Sequence, residues 1–158
     1  MSGVSYLPVK GEYHDNFLTA QAAARGALDR ERQLCLFDRL EWLDQLHRMA
    51  LRDKAPLLLR ARSGEAEAWL PLMQIVGGQF GALANWYNFT WRPVFGGAYD
   101  EVTRLSLLRQ LAATASKRTR RLTLAPVPDE DGSASQIAAA FQASGWTVEM
   151  TECDANHY

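Results

Sequence analysis

The sequence predicts a single domain over residues 1–158, of the α/β class in its α+β form: a mixed, mainly antiparallel central sheet with helices on both faces. Three observations lead there. The hydrophobic pattern changes period along the chain in the order β-α-α-β-β-β-α-β-α-β, so a three-strand meander is followed by strands alternating with helices. The middle strand of the meander is apolar on both faces, as in a sheet covered on both sides. The 158 residues are 47% apolar and 22% charged, the balance of an ordinary globule with one real core.

Residues 4–10 read as a short strand, with Val4 and Tyr6 apolar and Pro8 limiting it. Residues 16–34 are Ala-rich and helical in pattern. Asn16 can cap them, and Leu18, Ala22 and Leu28 fall on one face. Gly26 weakens that helix by roughly 1 kcal/mol relative to Ala, which predicts a loose or broken segment. Asp38 and Glu41 have the spacing of a capping box. Leu40, Leu43, Leu46 and Ala50 then form an apolar stripe with Trp42 beside it, and Pro56 bars continuation. Residues 57–62 read as a strand and Ser63-Gly64-Glu65 as a hairpin turn. The partner strand covers residues 66–76, where Pro71 marks an edge or a bulge.

Gly77-Gly78 turns the chain, and residues 81–91 read as a third antiparallel strand. Asp100 caps a helix over 101–117, with Val102, Leu105, Leu108, Leu111 and Ala115 as its core face. Residues 121–127 read as a short strand stopped by Pro126 and Pro128. Ser133-Ala134-Ser135-Gln136 is a second capping box. Its helix turns Ile137, Ala140 and Phe141 inward and stops at Gly145. Residues 146–151 close as a strand, with Trp146, Val148 and Met150 on one face.

Composition narrows the function classes. The net charge of −1 offers no basic excess for nucleic acid, and Lys117-Arg118-Thr119-Arg120-Arg121 falls where cations complement a helix C-terminus. No run of 18 apolar residues and no signal peptide is visible, so no membrane span is expected. Cys35 and Cys153 form no Cys-x-x-Cys pair, Cys35 reads as a buried thiol, and a reduced, cytoplasmic chain is expected. His14, His47 and His157 have no metal-ligand spacing, no Gly-x-Ser-x-Gly elbow occurs, and no catalytic base stands out. Glu65 and Glu67 flank the hairpin and are expected to be solvated. Asn85, Tyr87 and Trp91 share one face of the third strand, either as aromatic packing or as the wall of an acyl or substrate groove. Strand, aromatic strand, glycine pair and helix N-terminus together could hold an anionic cofactor.

Two helices before a three-strand meander, then α-β-α-β, resemble the fold of the GNAT superfamily of N-acetyltransferases. Leu36-Phe37-Asp38-Arg39-Leu40-Glu41-Trp42-Leu43, Leu70-Pro71-Leu72, Asn85-Trp86-Tyr87-Asn88-Phe89 and Leu124-Ala125-Pro126-Val127-Pro128 resemble the N-terminal half of FemAB-like and CelD-like acyltransferases, built as two GNAT-like halves. The resemblance implies acyl or aminoacyl transfer to an amine in a full-length context, with a second GNAT-like half or a homodimer partner as the complement. It implies acetyl-CoA or another acyl-CoA as cofactor, held by Arg92, Gly96 and Gly97 of Arg92-Pro93-Val94-Phe95-Gly96-Gly97-Ala98. GNAT enzymes carry Gln/Arg-x-x-Gly-x-Gly/Ala there. The first glycine is one position late in this chain and Pro93 removes an N–H donor, so this chain alone is not expected to hold acetyl-CoA. The alternative is a non-catalytic GNAT-like binding or dimerisation module with an open sheet edge near its last strand.

Overall fold

The computed structural model describes residues 8–85 and 90–152. Strands β1 (Lys10–His14), β2 (Pro56–Ser63), β3 (Ala66–Gln74), β4 (Phe80–Ala82), β5 (Val94–Gly96) and β6 (Leu122–Thr123) form one sheet. Helices α1 (Phe17–Ala24), α2 (Leu40–Ala50), α3 (Glu101–Ser116) and α4 (Ser133–Ala143) cover it. The sheet runs β1-β2-β3-β4-β6, with β5 paired to β3 beside β4. All pairings are antiparallel except β4 with β6, which are parallel through Phe80 opposite Leu122 and Gly81 opposite Thr123. The architecture is therefore the mixed, mainly antiparallel α+β sheet that the pattern predicts.

Alternation along β2 and β3 divides the core in two. Leu57, Leu59, Leu70 and Leu72 face Leu107, Leu108 and Leu111 of α3 and Ile137 and Phe141 of α4. Leu58 and Trp69 take the other face under Ala20 and Ala24 of α1, Leu28, and Leu40 of α2. Leu43 and Leu46 of α2 close over Leu83. No helix among the described residues is long and apolar enough to cross a membrane.

Several elements depart from the sequence pattern, each for a local reason. The described strand here is Lys10–His14, so residues 8–9 are not part of it, and residues 4–7 of the expected strand 4–10 lie outside the described residues. Its register sets Glu12 opposite Arg60, an opposite-charge pair that the apolar pattern does not encode. The first helix stops at Arg25, whose backbone is left-handed (φ 49°), just before Gly26. Asn16 caps it through Thr19 N–H at 2.9 Å, but Ala20 and Ala24 are its buried residues while Leu18 is exposed. Asp38 does not cap α2. It sits in a short 3-10 turn, Leu36–Asp38, where Arg92 engages its carboxylate, and Arg39 occupies the cap position.

The third strand is not continuous over 81–91. β3 pairs first with β5, through Glu67, Ala68 and Trp69, and then with β4, through Leu72, Met73 and Gln74. Pro71 falls in the gap. Its carbonyl accepts Leu83 N–H (3.0 Å) and the Trp91 indole N–H (2.9 Å) on that side. A strand residue's nitrogen points the same way as its carbonyl, so the missing N–H of Pro71 faces the side where the ladder passes from β5 to β4. Pro71 is thus neither an edge nor a bulge marker. It is the point at which a central strand changes neighbours.

Asp100 caps α3 through Thr103 N–H at 2.8 Å. The buried face of α3 begins at Leu107, while Val102 is exposed and Leu105 half-buried, so the first turns project past the core. At its end Arg118 stacks 4.2 Å from the Tyr13 ring centroid, one use of the basic run. β6 is only two residues long. α4 is not started by a serine capping box: Asp131 accepts Ser133 N–H (2.9 Å) and Asp129 accepts Ser135 N–H (3.0 Å), while the Gln136 side-chain Oε1 accepts Arg104 Nε–H (2.9 Å). Its C-terminus closes with Gly145 N–H on Gln142 O and Trp146 N–H on Phe141 O, a Schellman motif with Trp146 against Phe141. That contact, and the Trp146 indole bond to Ala112 O (3.0 Å), hold the chain at the helix end, so 146–151 forms no strand.

Candidate functional site

The residues expected to hold a cofactor have definite structural partners. Gly96 ends β5, and a Cβ there would stand 3.2 Å from both Ala27 Cβ and Glu67 Cγ. Gly97 has φ +77° and lies against the β2–β3 turn, where an added Cβ would stand 2.1 Å from the Glu65 carbonyl oxygen. Gly97 is thus required by close backbone packing and its positive φ, while Gly96 is closely packed against two side chains. The following helix end already carries carboxylates, with Asp100 at the cap and Glu101 next to it. The bond from Thr103 N–H lowers the Asp100 pKa. Arg92 donates to Asp38 (3.1 Å) and to Asp131 (3.0 Å), joining the Leu36–Asp38 turn to the start of α4.

Trp91 is buried in the main core and held by its indole bond to Pro71 and its N–H bond to Pro126 O (2.8 Å). Asn85 is half-buried, and Tyr87 lies outside the described residues. His47 donates through Nε2 to Lys54 O (2.7 Å), tying α2 to the loop before β2, and Cys35 is half-buried. His157 and Cys153 lie outside the described residues, among which no group of His, Cys, Asp or Glu could hold a metal ion.

The Arg92 cluster has opposed titrations. Burial raises the Asp38 pKa, and Arg92 only partly offsets it. Burial also works against charge on Asp131, but its bonds from Ser133 and the charge of Arg92 lower its pKa overall. Arg92 itself is raised, because Asp38, Cys35 and Asp131 outweigh its desolvation. For Asp38 the folded state binds its proton more tightly than the unfolded chain. Its contribution to stability therefore improves as pH falls through the raised folded value toward the ordinary aspartate range. Urea denaturation of wild type and Asp38→Asn from neutral to acid pH checks the sign. The wild type should gain on the variant across that window, and a loss there would contradict the assignment.

A second polar cluster lies on the α1 face of the sheet, and sequence reading missed it. Arg60 is 7% exposed and Glu67 8% exposed, so Glu67 is not solvated as expected, whereas Glu65 is. Arg60 donates to Glu12 (3.2 Å) and Glu67 (3.0 Å), and the Trp69 indole donates to the other oxygen of Glu67 (2.6 Å). The Arg60 guanidinium also stands 5.3 Å from the Trp69 ring centroid. His14 completes the chain, with Nε2 2.9 Å from Glu12 and Nδ1 3.1 Å from Thr19 Oγ1. Thr19 Oγ1 also donates to Asn16 O (3.3 Å), so these bonds tether β1 to the first turn of α1. The available signal was the alternation of polar residues at period two, Glu12 with His14 and Arg60 with Arg62, on strands whose register sets Glu12 opposite Arg60.

This cluster floors an open groove of about 700 Å³. Arg25 and Arg32 stand on its α1 side, Arg62 and Glu65 on its hairpin side, and alanines of α1 with Gly64 and Gly97 keep the walls low. A hollow of about 170 Å³ between Asp53–Ala55 and Gln74–Val76 is smaller and formed only by loop ends. The groove can bind by charge and hydrogen bonding. No protein-family model, curated protein or solved structure matches the chain.

Proposed function

We propose that this chain is a GNAT-like domain of an acyltransferase that positions a ligand or a partner and does not itself hold acetyl-CoA. The element order supports the GNAT reading: two helices, an antiparallel meander, then α3 leading to a strand parallel to β4. The observation that carries the negative half is the glycine–helix junction. Gly97 is packed against the Glu65 carbonyl, and the first turn of α3 presents Asp100 and Glu101 where a pyrophosphate would need free N–H groups and positive potential. Acyl or aminoacyl transfer to an amine then belongs to an assembly, with a second GNAT-like half or a second copy docking on the outer edge of β6, the end of the sheet path. A reducing, cytoplasmic setting belongs to the same proposal, since the two cysteines lack a Cys-x-x-Cys spacing.

Isothermal titration with acetyl-CoA tests the first part. No saturable binding in the micromolar range is expected, and stoichiometric micromolar binding would refute the reading. Sedimentation of the same sample tests the homodimer, which a monomer at high concentration would eliminate.

A further inference from the structure

We propose that the groove between α1 and the β2–β3 hairpin binds a small ligand through an oxyanion, a carboxylate or a phosphate group. The groove shares Gly97 with the α3 junction but is otherwise built from α1 and the β2–β3 hairpin, and small oxyanions as probes separate it from the behaviour of acetyl-CoA. Its volume of about 700 Å³ suits a small-molecule ligand. Four arginines and three glutamates line it, Arg25, Arg32, Arg60 and Arg62 against Glu12, Glu65 and Glu67, which leaves one positive charge in excess.

The charges are not equally engaged. Glu12 and Glu67 are held from below by Arg60, with His14 and Trp69 completing their bonds. Arg62 reaches Glu12 only at 3.4 Å and its side chain is half exposed. Arg25 and Arg32 make no ion pair among the described residues. Arg25 and Arg32 are therefore available to an incoming anion, with the half-exposed Arg62 beside them in its long pair with Glu12, and their planar forks suit oxyanions bidentately.

The floor supplies a second, independent observation. Arg60 is more than nine-tenths buried, yet its Nε–H has no acceptor. Such a donor is costly to leave unpaired in a protein interior, and among described residues Arg60 and Trp42 are the side chains that do so. Arg60 lines the groove while its Nε has no exposed surface, so an oxyanion seated there meets that donor where the guanidinium shifts toward it on binding. The positive excess favours an anion, and Glu65 on the rim opposes further negative charge.

The probes are succinate and inorganic phosphate, each against sodium chloride at equal ionic strength. The Arg60 Nε–Hε resonance and the melting temperature are followed. A saturable shift of that resonance with a rise in melting temperature is expected for at least one probe. Succinate alone identifies a carboxylate site, phosphate alone a phosphate site, and both a general oxyanion site. The variant Arg32→Ser/Arg62→Thr removes two rim guanidiniums and should weaken binding by about tenfold or more. Arg32→Gln alone, at an exposed position, serves if the double variant melts early in chloride. No saturable shift with either probe, the same shift in chloride, or undiminished binding by the variant would overturn the proposal.

Discussion

Replacing Arg60 with Ala is expected to lower the stability of the domain by about 3–5 kcal/mol, the cost of breaking a buried ion pair from one side. The guanidinium is the shared donor for Glu12 and Glu67, and Glu67 is nearly as buried as Arg60 itself. Without it, Glu67 retains only the Trp69 indole as a fixed side-chain donor, and its charge has no counter-ion on β2 except Arg62 at the rim. Neutralising the acceptors together with the donor, as in Arg60→Met/Glu12→Gln/Glu67→Gln, should restore much of the loss, because the stranded charges disappear. Chemical denaturation measures both. A loss below about 1 kcal/mol for Arg60→Ala would mean that the cluster behaves as a solvated surface pair.

The second large effect belongs to Gly97. An alanine there adopts φ +77°, a left-handed conformation that costs roughly 1–2 kcal/mol for a residue with a Cβ. It also drives that Cβ to 2.1 Å from the Glu65 carbonyl oxygen and 2.9 Å from its carbon. Those are backbone atoms of a tight hairpin and cannot rotate away, so the expected total is about 3 kcal/mol or more. Gly78→Ala is the control. Its φ is +74°, but nothing lies within 4 Å of the added atom, so only the conformational cost remains. Equal melting temperatures for the two variants would show that the hairpin yields freely at Gly97.

What the sequence discloses follows from which interactions are local. The α2 stripe of Leu40, Leu43 and Leu46, the β2–β3 hairpin around Gly64 and the end of α4 at Gly145 rest on residues a few positions apart, and periodicity finds them. Asn16 and Asp100 start α1 and α3 as their spacing suggests, but the starts of α2 and α4 are harder. Asp38 has the right spacing to cap α2, yet Arg92, 54 residues away, takes its carboxylate. The groove was invisible for the same reason. Glu12 and Arg60 meet across 48 residues, only because β1 and β2 pair in one register. A one-residue slip would send every one of these charges to the opposite face. Glu67 read as a solvated hairpin residue because nothing near it in sequence announces a buried arginine.

The change of neighbours at Pro71 has a consequence for how this chain can be altered. Leu83 and Trp91 both bond to the one Pro71 oxygen, so the two ends of the excursion between β4 and β5 are fastened to a single point of the sheet. Doubling the length of the chain between those two anchors would add only about 0.6 kcal/mol of closure entropy. The sheet register on either side, β5 on Glu67–Trp69 and β4 on Leu72–Gln74, would be kept by its own ladder. Pro71 thus makes the middle of a central strand into a splice point, where new sequence can enter the domain without asking the sheet to move.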